Sequence, residues 1–292
     1  MGTIRSLAKG AGAVRPFVNA VRGVDRATGE DLAISVIDGD PAATIAIRGL
    51  LGIDEASAPD AYDGPLVYVA VAGHDPTLAA TVLARARRQG RRVVILIAAD
   101  SKPAKDIERL LISHPPLDLS NIAHVRSLDD DPFVLSSIAT LLGDDAVAVA
   151  RTHPVLRPAV GEMLTTQAAR RAGAIGMAGI VPGTQLPIIA ALQVRLIAQL
   201  ASMHGRPLDL RRGLEVGGVV ASAFGWRAVA RRASRFLPVG AFAVRAGVAY
   251  TGTRVLGEAA RKYFTTAGER ADAPLDGLAT ALAGALKKRK DT

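Results

Sequence analysis

Cysteine is absent from this chain of 292 residues, which excludes disulfides, thiol nucleophiles and cysteine-ligated zinc or iron–sulfur centres. Histidine and aromatic residues are scarce. The few aromatic residues offer no stacking platform for single-stranded nucleic acid. The histidines form no close pair at metal-ligand spacing; they are His74, His114, His124, His153 and His204. We therefore predict no metal and no cofactor, identify no catalytic residue, and disfavour nucleic acid as a partner.

Charge divides the chain into two contrasting parts. Residues 1–150 carry 15 Lys and Arg against 19 Asp and Glu, a net charge of −4, whereas residues 151–292 carry 21 against 8, a net charge of +13. An acidic half is ordinary for a soluble domain. A basic, apolar half indicates contact with an anionic membrane surface or another polyanion.

The first 29 residues form a basic N-terminal segment. The apolar core of a secretory signal is missing from it. Apolar residues such as Leu7 and Phe17 alternate with basic ones such as Lys9 and Arg15. This pattern fits a weak amphipathic helix on a membrane surface or, equally, a partly ordered tail.

Residues 30–150 alternate between short apolar runs and helix-like stretches. A turn that contains Asp and Pro follows each run, where Asp suits a helix N-cap and Pro the first helical turn. Such apolar strands predict a parallel sheet covered on both faces, a three-layer α/β domain, with right-handed crossovers. The predicted strands are 32–37, 66–71, 92–98 and 122–125.

The turn after the first run is where a phosphate-binding loop is expected. A P-loop needs glycines, a lysine and a hydroxyl in the pattern GxxxxGK[ST]. This chain has DGDPAAT at 38–44, with Gly39 and Thr44 but no lysine, and with two carboxylates that repel an anion. Gly39, Thr44 and Asp100 are thus weak candidates for nucleotide binding. Alternatively, the strand-end carboxylates hold magnesium or simply cap helices.

Two stretches of this half resemble a small GTPase. SVIDGDPAATIAIRGLLG at 35–52 is similar to the strand, P-loop and following helix of that family. RVVILIAADSKPAKDIERLL at 92–111 is similar to the strand, base-recognition loop and helix, with only Asp100 matching the loop. The resemblance implies a degenerate, Rossmann-like GTPase domain that lacks the residues for nucleotide binding and hydrolysis.

Residues 151–268 are predicted to be a Gly- and Ala-rich helical domain, and residues 269–292 a tail with a short amphipathic helix. No charged residue occurs at 172–194, which is long enough for a membrane span. Pro182-Gly183 and Pro187 interrupt it. The stretch is therefore a kinked span, a helical hairpin with Pro-Gly at its tip, or part of a soluble helical core.

Arginines flank these helices. Arg227, Arg231 and Arg235 lie four residues apart, and so share one helix face; Arg170 and Arg171 precede the uncharged stretch. A solvated surface is one interpretation. Contact with anionic lipid or an acidic partner is the other, and the positive-inside bias then indicates the cytoplasmic side of the cytoplasmic membrane, with peripheral or integral attachment.

Small and hydroxylated residues lie close together at 247–253. Gly247, Thr251, Gly252 and Thr253 occur within a helix-like stretch. Small residues allow helix backbones to approach closely, and hydroxyls can then bond across the contact. We predict that these four residues pack helices together; the same pattern allows a homo-oligomer.

Several blocks of the second half resemble the hydrophobic helical domain-of-unknown-function family 697. They are VPG…ALQVRLIAQLASMHG (181–205), PVG (238–240) and VAYTGT…GEAARKYF (248–264). The resemblance implies membrane association and a neighbouring GTPase-type domain, and it supplies no catalytic residue. It favours a non-enzymatic, membrane-associated accessory or scaffold protein, with a GTPase or other protein as possible partner. The alternative is a soluble or peripheral α/β NTPase-type enzyme that uses the strand-end Asp turns.

Overall fold

The computed structural model describes residues 31–53, 64–99, 101–178, 185–206 and 241–267. These residues form two compact units, one ending at Met163 and the other beginning at Leu164. The predicted N-terminal segment and C-terminal tail lie outside the described residues.

The first unit contains a four-stranded sheet in which every pair is parallel. Strand order follows the chain from β1 to β4. The strands are β1 (Ser35–Val36), β2 (Leu66–Val71), β3 (Val93–Ala98) and β4 (Ile122–Val125). The predicted parallel α/β sheet is therefore confirmed, although β1 is shorter than its apolar run suggested.

Five helices accompany the strands in this unit. They are α1 (Pro41–Leu51), α2 (Thr77–Arg88), α3 (Ser101–Ile112), α4 (Asp131–Leu142) and α5 (Ala146–Thr152). Short 3₁₀ segments lie at Leu119–Asn121, Gly143–Asp145 and Pro154–Leu156. Helix α6 (Arg157–Ala178) begins here, and its residues from Leu164 belong to the second unit.

Helices cover both faces of the sheet. Side chains of α2 and α3 form one buried cluster with alternate residues of β2 and β3, such as Tyr68 and Ile95. Helices α1 and α4 contact the strands but contribute nothing to that cluster, so they cover the other face. The residues between, such as Val67 and Leu96, are also buried, which explains the near-continuous apolar runs.

Helix α1 therefore lies on the opposite face from α2 and α3. Between α1 and β2 the chain passes through residues 54–63, which lie outside the described residues. Right-handed crossovers therefore stay a prediction for this connection. Among the described strands the order does not reverse, so the change of face between α1 and α2 does not coincide with a topological switch point.

A buried histidine forms a hydrogen bond with the side of β1 that faces away from β2. Nε2 of His153 accepts a hydrogen bond from the amide of Ile34 (3.0 Å), and Nδ1 lies 3.3 Å from the carbonyl oxygen of Leu51. His153 thus joins β1 to the end of α1. The α/β unit extends past the boundary predicted at 150 because these contacts hold the segment after α5 against the sheet.

The described part of the second unit consists of the end of α6, α7 (Gln185–Met203) and α8 (Ala241–Ala267). Contacts of α6 with α8 run in opposite order along the two helices, from Gly257 at Thr165 to Ala246 at Gly176. Contacts of α7 with α8 advance together, from Gln193 with Thr253 to His204 with Phe264. Helices α6 and α7 are therefore antiparallel, as in the hairpin interpretation of residues 172–194.

Within the described residues, one helical stretch is long and apolar enough to cross a membrane. The helical stretch Asp131–Thr152 is long enough and has a mean hydropathy of 1.6. Half of it is buried within the α/β unit, where α4 packs on β3 and β4. A core helix of a soluble protein meets the same criteria, so this stretch gives only weak evidence for a span.

Candidate functional site

The turn between β1 and α1 is where the sequence predicts a degenerate phosphate loop. Asp40 is the N-cap of α1, and its carboxylate accepts a hydrogen bond from the amide of Ala43 (2.9 Å). The amide of Gly39 donates to Oγ1 of the buried Thr44 (3.2 Å). Gly39 and Thr44 are therefore brought together, but they bond to each other. The groups that would hold a phosphate already have partners within the turn.

Gly39 also lies directly against the ring of Tyr68 on β2. A Cβ atom at Gly39 would be 2.7 Å from Cε2 of Tyr68 and 3.3 Å from the carbonyl oxygen of Val69. Only glycine fits this approach. The space beside the turn is thus filled by an aromatic ring instead of being left open for a ligand.

The hydroxyl of Tyr68 is buried and makes no hydrogen bond within the described residues. Burial, and secondarily the charge of Asp75, raise the pKa of this hydroxyl. Tyr68 therefore stays neutral within the sheet. No sequence motif singled it out, because a tyrosine inside an apolar run is indistinguishable from a core residue.

The turn between β2 and α2 places another carboxylate at a helix start. Asp75 accepts hydrogen bonds from the hydroxyl (2.6 Å) and the amide (3.0 Å) of Thr77. The hydroxyl bond, followed by the amide bond, lowers the pKa of Asp75. Gly73 precedes it with φ of +88°, a conformation that favours glycine. This turn, too, engages its carboxylate, here with the first residue of the following helix.

A third strand-end carboxylate is also engaged at the start of a helix. Asp130 is the N-cap of α4 and accepts from the amide of Phe133 (3.4 Å). The third nucleotide-binding candidate, Asp100, lies outside the described residues. Within the described ranges, no group of three or more His, Asp or Glu side chains is arranged to hold a metal ion. The carboxyl edge of the sheet is thus acidic, with its carboxylates engaged locally.

A buried polar contact joins two helices of the second unit. Nε2 of Gln193 on α7 donates to Oγ1 of Thr253 on α8 (2.9 Å), and both side chains are buried. Nearby, Nη1 of Arg254 donates to the hydroxyl of Thr166 on α6 (2.6 Å), while its Nε pairs with Glu258 (2.9 Å). Thr253 therefore bonds between helices, as a hydroxyl predicted to pack helices should.

The close backbone contacts between α6 and α8 involve three glycines. A Cβ at Gly257 would overlap the side chain of the buried Thr165. A Cβ at Gly176 would lie 3.0 Å from the carbonyl oxygen of Arg245, and one at Gly173 would lie 3.4 Å from Cβ of Tyr250. These three positions bring α6 and α8 together.

The other predicted packing residues have different surroundings. Gly247 is exposed, and a Cβ there would meet nothing within 4 Å. Thr251 and Gly252 are half-buried. The sequence of a helix with many glycines does not show which of them face a neighbouring helix. That depends on how the helix is rotated about its own axis in the fold.

The predicted lipid-contact arginines are only partly described. Arg170 and Arg171 are exposed on α6, as a surface contact requires, and neither forms a salt bridge within the described residues. Arg227, Arg231 and Arg235 lie outside those residues. The structure therefore shows two of the five cations on the surface of the helical unit.

Comparison with known proteins gives no further guidance: no protein-family model, curated protein or solved structure matches this chain.

Proposed function

We propose that this chain is a membrane-associated accessory or scaffold protein, built from a degenerate GTPase-like α/β domain that does not bind nucleotide and a basic helical domain related to family 697. The α/β domain serves as a protein-interaction surface. The exposed arginines of the helical domain lie near anionic lipid on the cytoplasmic face of the membrane.

The main support for the proposal is the turn between β1 and α1, whose polar groups form hydrogen bonds with each other. A nucleotide phosphate needs free amides at the start of a helix after a strand. Here the carboxylate of Asp40 caps that helix start, and Thr44 accepts the amide of Gly39. An incoming phosphate would have to displace both contacts and approach a fixed negative charge.

Tyr68 adds a steric argument at the same place. Ligands of open α/β sheets bind in the crevice beyond the carboxyl ends of the strands. The turn that follows β1 lies at that edge of the sheet. The ring of Tyr68 contacts Gly39 there, so the turn has little room for a phosphate and ribose.

The helical domain supports the membrane part of the proposal. Its helices approach closely through Gly173, Gly176 and Gly257, and a buried amide–hydroxyl bond links Gln193 to Thr253. Both features are typical of helices that pack in lipid. There the hydrophobic effect does not drive helices together, and close packing of small residues and interhelical hydrogen bonds do so instead. Compact soluble helices use them as well, and the fractionation experiment below distinguishes the two environments.

Nucleotide binding is tested by thermal unfolding of the full chain with magnesium and GTP or ATP. A ligand present at about a hundred times its Kd would stabilise the folded state by about 2.7 kcal/mol. We expect no shift in Tm at millimolar nucleotide. A shift for either nucleotide would contradict the proposal and favour the NTPase-type alternative.

Membrane association is tested by fractionating cells that express the full chain, with separate high-salt and carbonate washes. We expect the protein in the membrane fraction. Release by salt would indicate electrostatic attachment, and resistance to both washes would indicate insertion. Recovery of all the protein in the soluble fraction would overturn the proposal.

A further inference from the structure

A second basic surface lies on the α/β unit, in the half of the chain with net negative charge. The segment RARRQGRR at 85–92 contains five arginines in eight residues. It includes the end of α2 and the loop that leads into β3. The arginines are therefore at the amino edge of the sheet, opposite the acidic turns at its carboxyl edge. We name Arg85, Arg87, Arg88, Arg91 and Arg92 the amino-edge arginines.

Two of these five cations are held in place without being neutralised. Arg88 donates to the carbonyl oxygen of Pro115 (3.0 Å) and Arg91 to that of Gly64 (3.0 Å). Carbonyl oxygens fix a guanidinium but leave its full charge. Of the five, only Arg92 forms a salt bridge within the described residues, with Asp145 (3.3 Å).

Besides Asp145, a second acidic group of the described residues lies near this surface. Asp118 has a lowered pKa, chiefly because the Ser120 hydroxyl donates to it, and to a smaller degree because of the charge of Arg87. Arg85 and Arg88 are both exposed at the end of α2, where the helix dipole stabilises cations. The dipole explains why the fold tolerates the cluster, but it leaves most of the positive charge facing solvent.

Aliphatic side chains are exposed beside the arginines. Leu119 is 62% exposed, Val82 41% and Ile112 37%. Val82 lies three residues before Arg85 on α2, which places both on one side of that helix. Leu119 follows Asp118, and Ile112 ends α3, which packs against α2. The surface thus combines unneutralised cations with exposed aliphatic groups.

We infer that the amino edge of the α/β unit docks on an anionic lipid surface. Cations near such a surface are attracted to its head groups, and aliphatic side chains gain by entering the interfacial layer. The phosphates of a nucleic acid would pair with the arginines but would make no favourable contact with Leu119, Val82 and Ile112. No aromatic side chain lies among these residues to stack on bases. This inference rests on the proposed membrane association and adds a second contact to it.

The test measures binding of the full chain to vesicles of phosphatidylcholine with about 30% phosphatidylserine, by sedimentation. Each arginine near an anionic surface contributes about 1 kcal/mol, or about fivefold. We expect the double variant Arg85→Gln/Arg88→Gln to lower the partition coefficient by about 25-fold and Arg85→Lys/Arg88→Lys to change it little. The matched control Lys102→Gln/Lys105→Gln removes two exposed cations at the opposite edge of the sheet and is expected to leave binding nearly unchanged.

A site-specific label reports contact directly and does not depend on affinity. Since the chain has no cysteine, one introduced cysteine can carry a polarity-sensitive fluorophore. Gln89→Cys places it beside Arg88, and His74→Cys places it at the carboxyl edge; both positions are exposed. We expect a blue shift on anionic vesicles at position 89 and none at position 74.

The outcomes separate the two proposals. If the unaltered chain ignores anionic vesicles, membrane association itself fails. If it binds but neither the glutamine variant nor the label at 89 responds, the amino-edge contact is wrong and the proposed function stands. Equal losses in the glutamine and Lys102/Lys105 variants would show a net-charge effect only and overturn the inference. It would also be overturned if the arginines were needed for a nucleic acid duplex and not for vesicles.

Discussion

Replacing His153 with leucine removes two hydrogen bonds of a buried imidazole while keeping an apolar side chain of similar size. The amide of Ile34, which is buried, loses its acceptor at 3.0 Å. The carbonyl of Leu51 loses a longer contact of 3.3 Å. Leaving a buried donor unpaired costs about 1–3 kcal/mol, and the longer contact adds less. We expect the α/β unit to lose about 2–3 kcal/mol in total.

Hydrogen exchange followed by mass spectrometry measures this change where it occurs. In peptides that cover residues 33–37, exchange of the Ile34 amide should accelerate by about 30-fold to 100-fold, since about 1.4 kcal/mol corresponds to tenfold. Peptides from α8 in the other unit serve as an internal reference. His74→Leu is the matched control, because His74 is exposed and should leave β1 unchanged.

The same contact predicts a pH dependence. Burial lowers the pKa of His153, only partly offset by its bond to Leu51. Nε2 must be unprotonated to accept the Ile34 amide, so the fold favours the neutral ring. The stability from His153 is therefore complete above its ordinary pKa of about 6.5 and is lost as pH falls through the lower folded value.

A glutamine at this position separates the hydrogen bond from the titration. His153→Gln offers an amide oxygen as acceptor but cannot gain a proton in this range. We expect it to preserve most of the Ile34 protection and to lose the decline of stability in acid. Unchanged Ile34 exchange in His153→Leu, or an equal acid decline in His153→Gln, would refute the reasoning.

Three further predictions concern side chains in tight contacts. Gly39→Ala should lower the free energy of unfolding by about 1–3 kcal/mol through overpacking against the tyrosine ring of β2, whereas Gly49→Ala, which meets nothing within 4 Å, should raise it by about 0.5–1 kcal/mol. In α8, Gly257→Ala should destabilise the helical unit because the new methyl group overlaps Thr165 of α6, whereas Gly247→Ala should stabilise it slightly. Equal melting temperatures for these two variants would contradict this prediction. Thr253→Val leaves the glutamine amide of α7 without its acceptor and should cost about 1–3 kcal/mol, with replacement of that glutamine by leucine restoring part of the loss in a double-mutant cycle.

The parallel sheet was predictable because its strands are buried on both faces. Runs such as 66–71 and 92–98 are apolar at nearly every position, and Asp-Pro turns mark the helix starts at Pro41 and Asp131. Local chemistry is enough for such elements. The caps at Asp40 and Asp130 follow from the same chemistry.

The contacts across the fold were not predictable in this way. His153 bonds to an amide 119 positions earlier in the chain, and no local pattern distinguishes it from a solvated histidine. The difference between Gly247 and Gly257 depends on which side of α8 faces α6. The face of the sheet that α1 covers is likewise set by the whole topology.

The histidine at the edge of β1 also bears on how the sheet ends. The amides of Ser35 and Ile37 point toward β2, so the amide of Ile34 points away from it, toward the open side. An unpaired amide on an outer strand is a template on which another chain can add a strand, and proteins commonly block it. Here the imidazole of His153 accepts that amide, so acidification that charges the ring leaves the amide without its acceptor. We expect the chain to become less soluble in acid as a result.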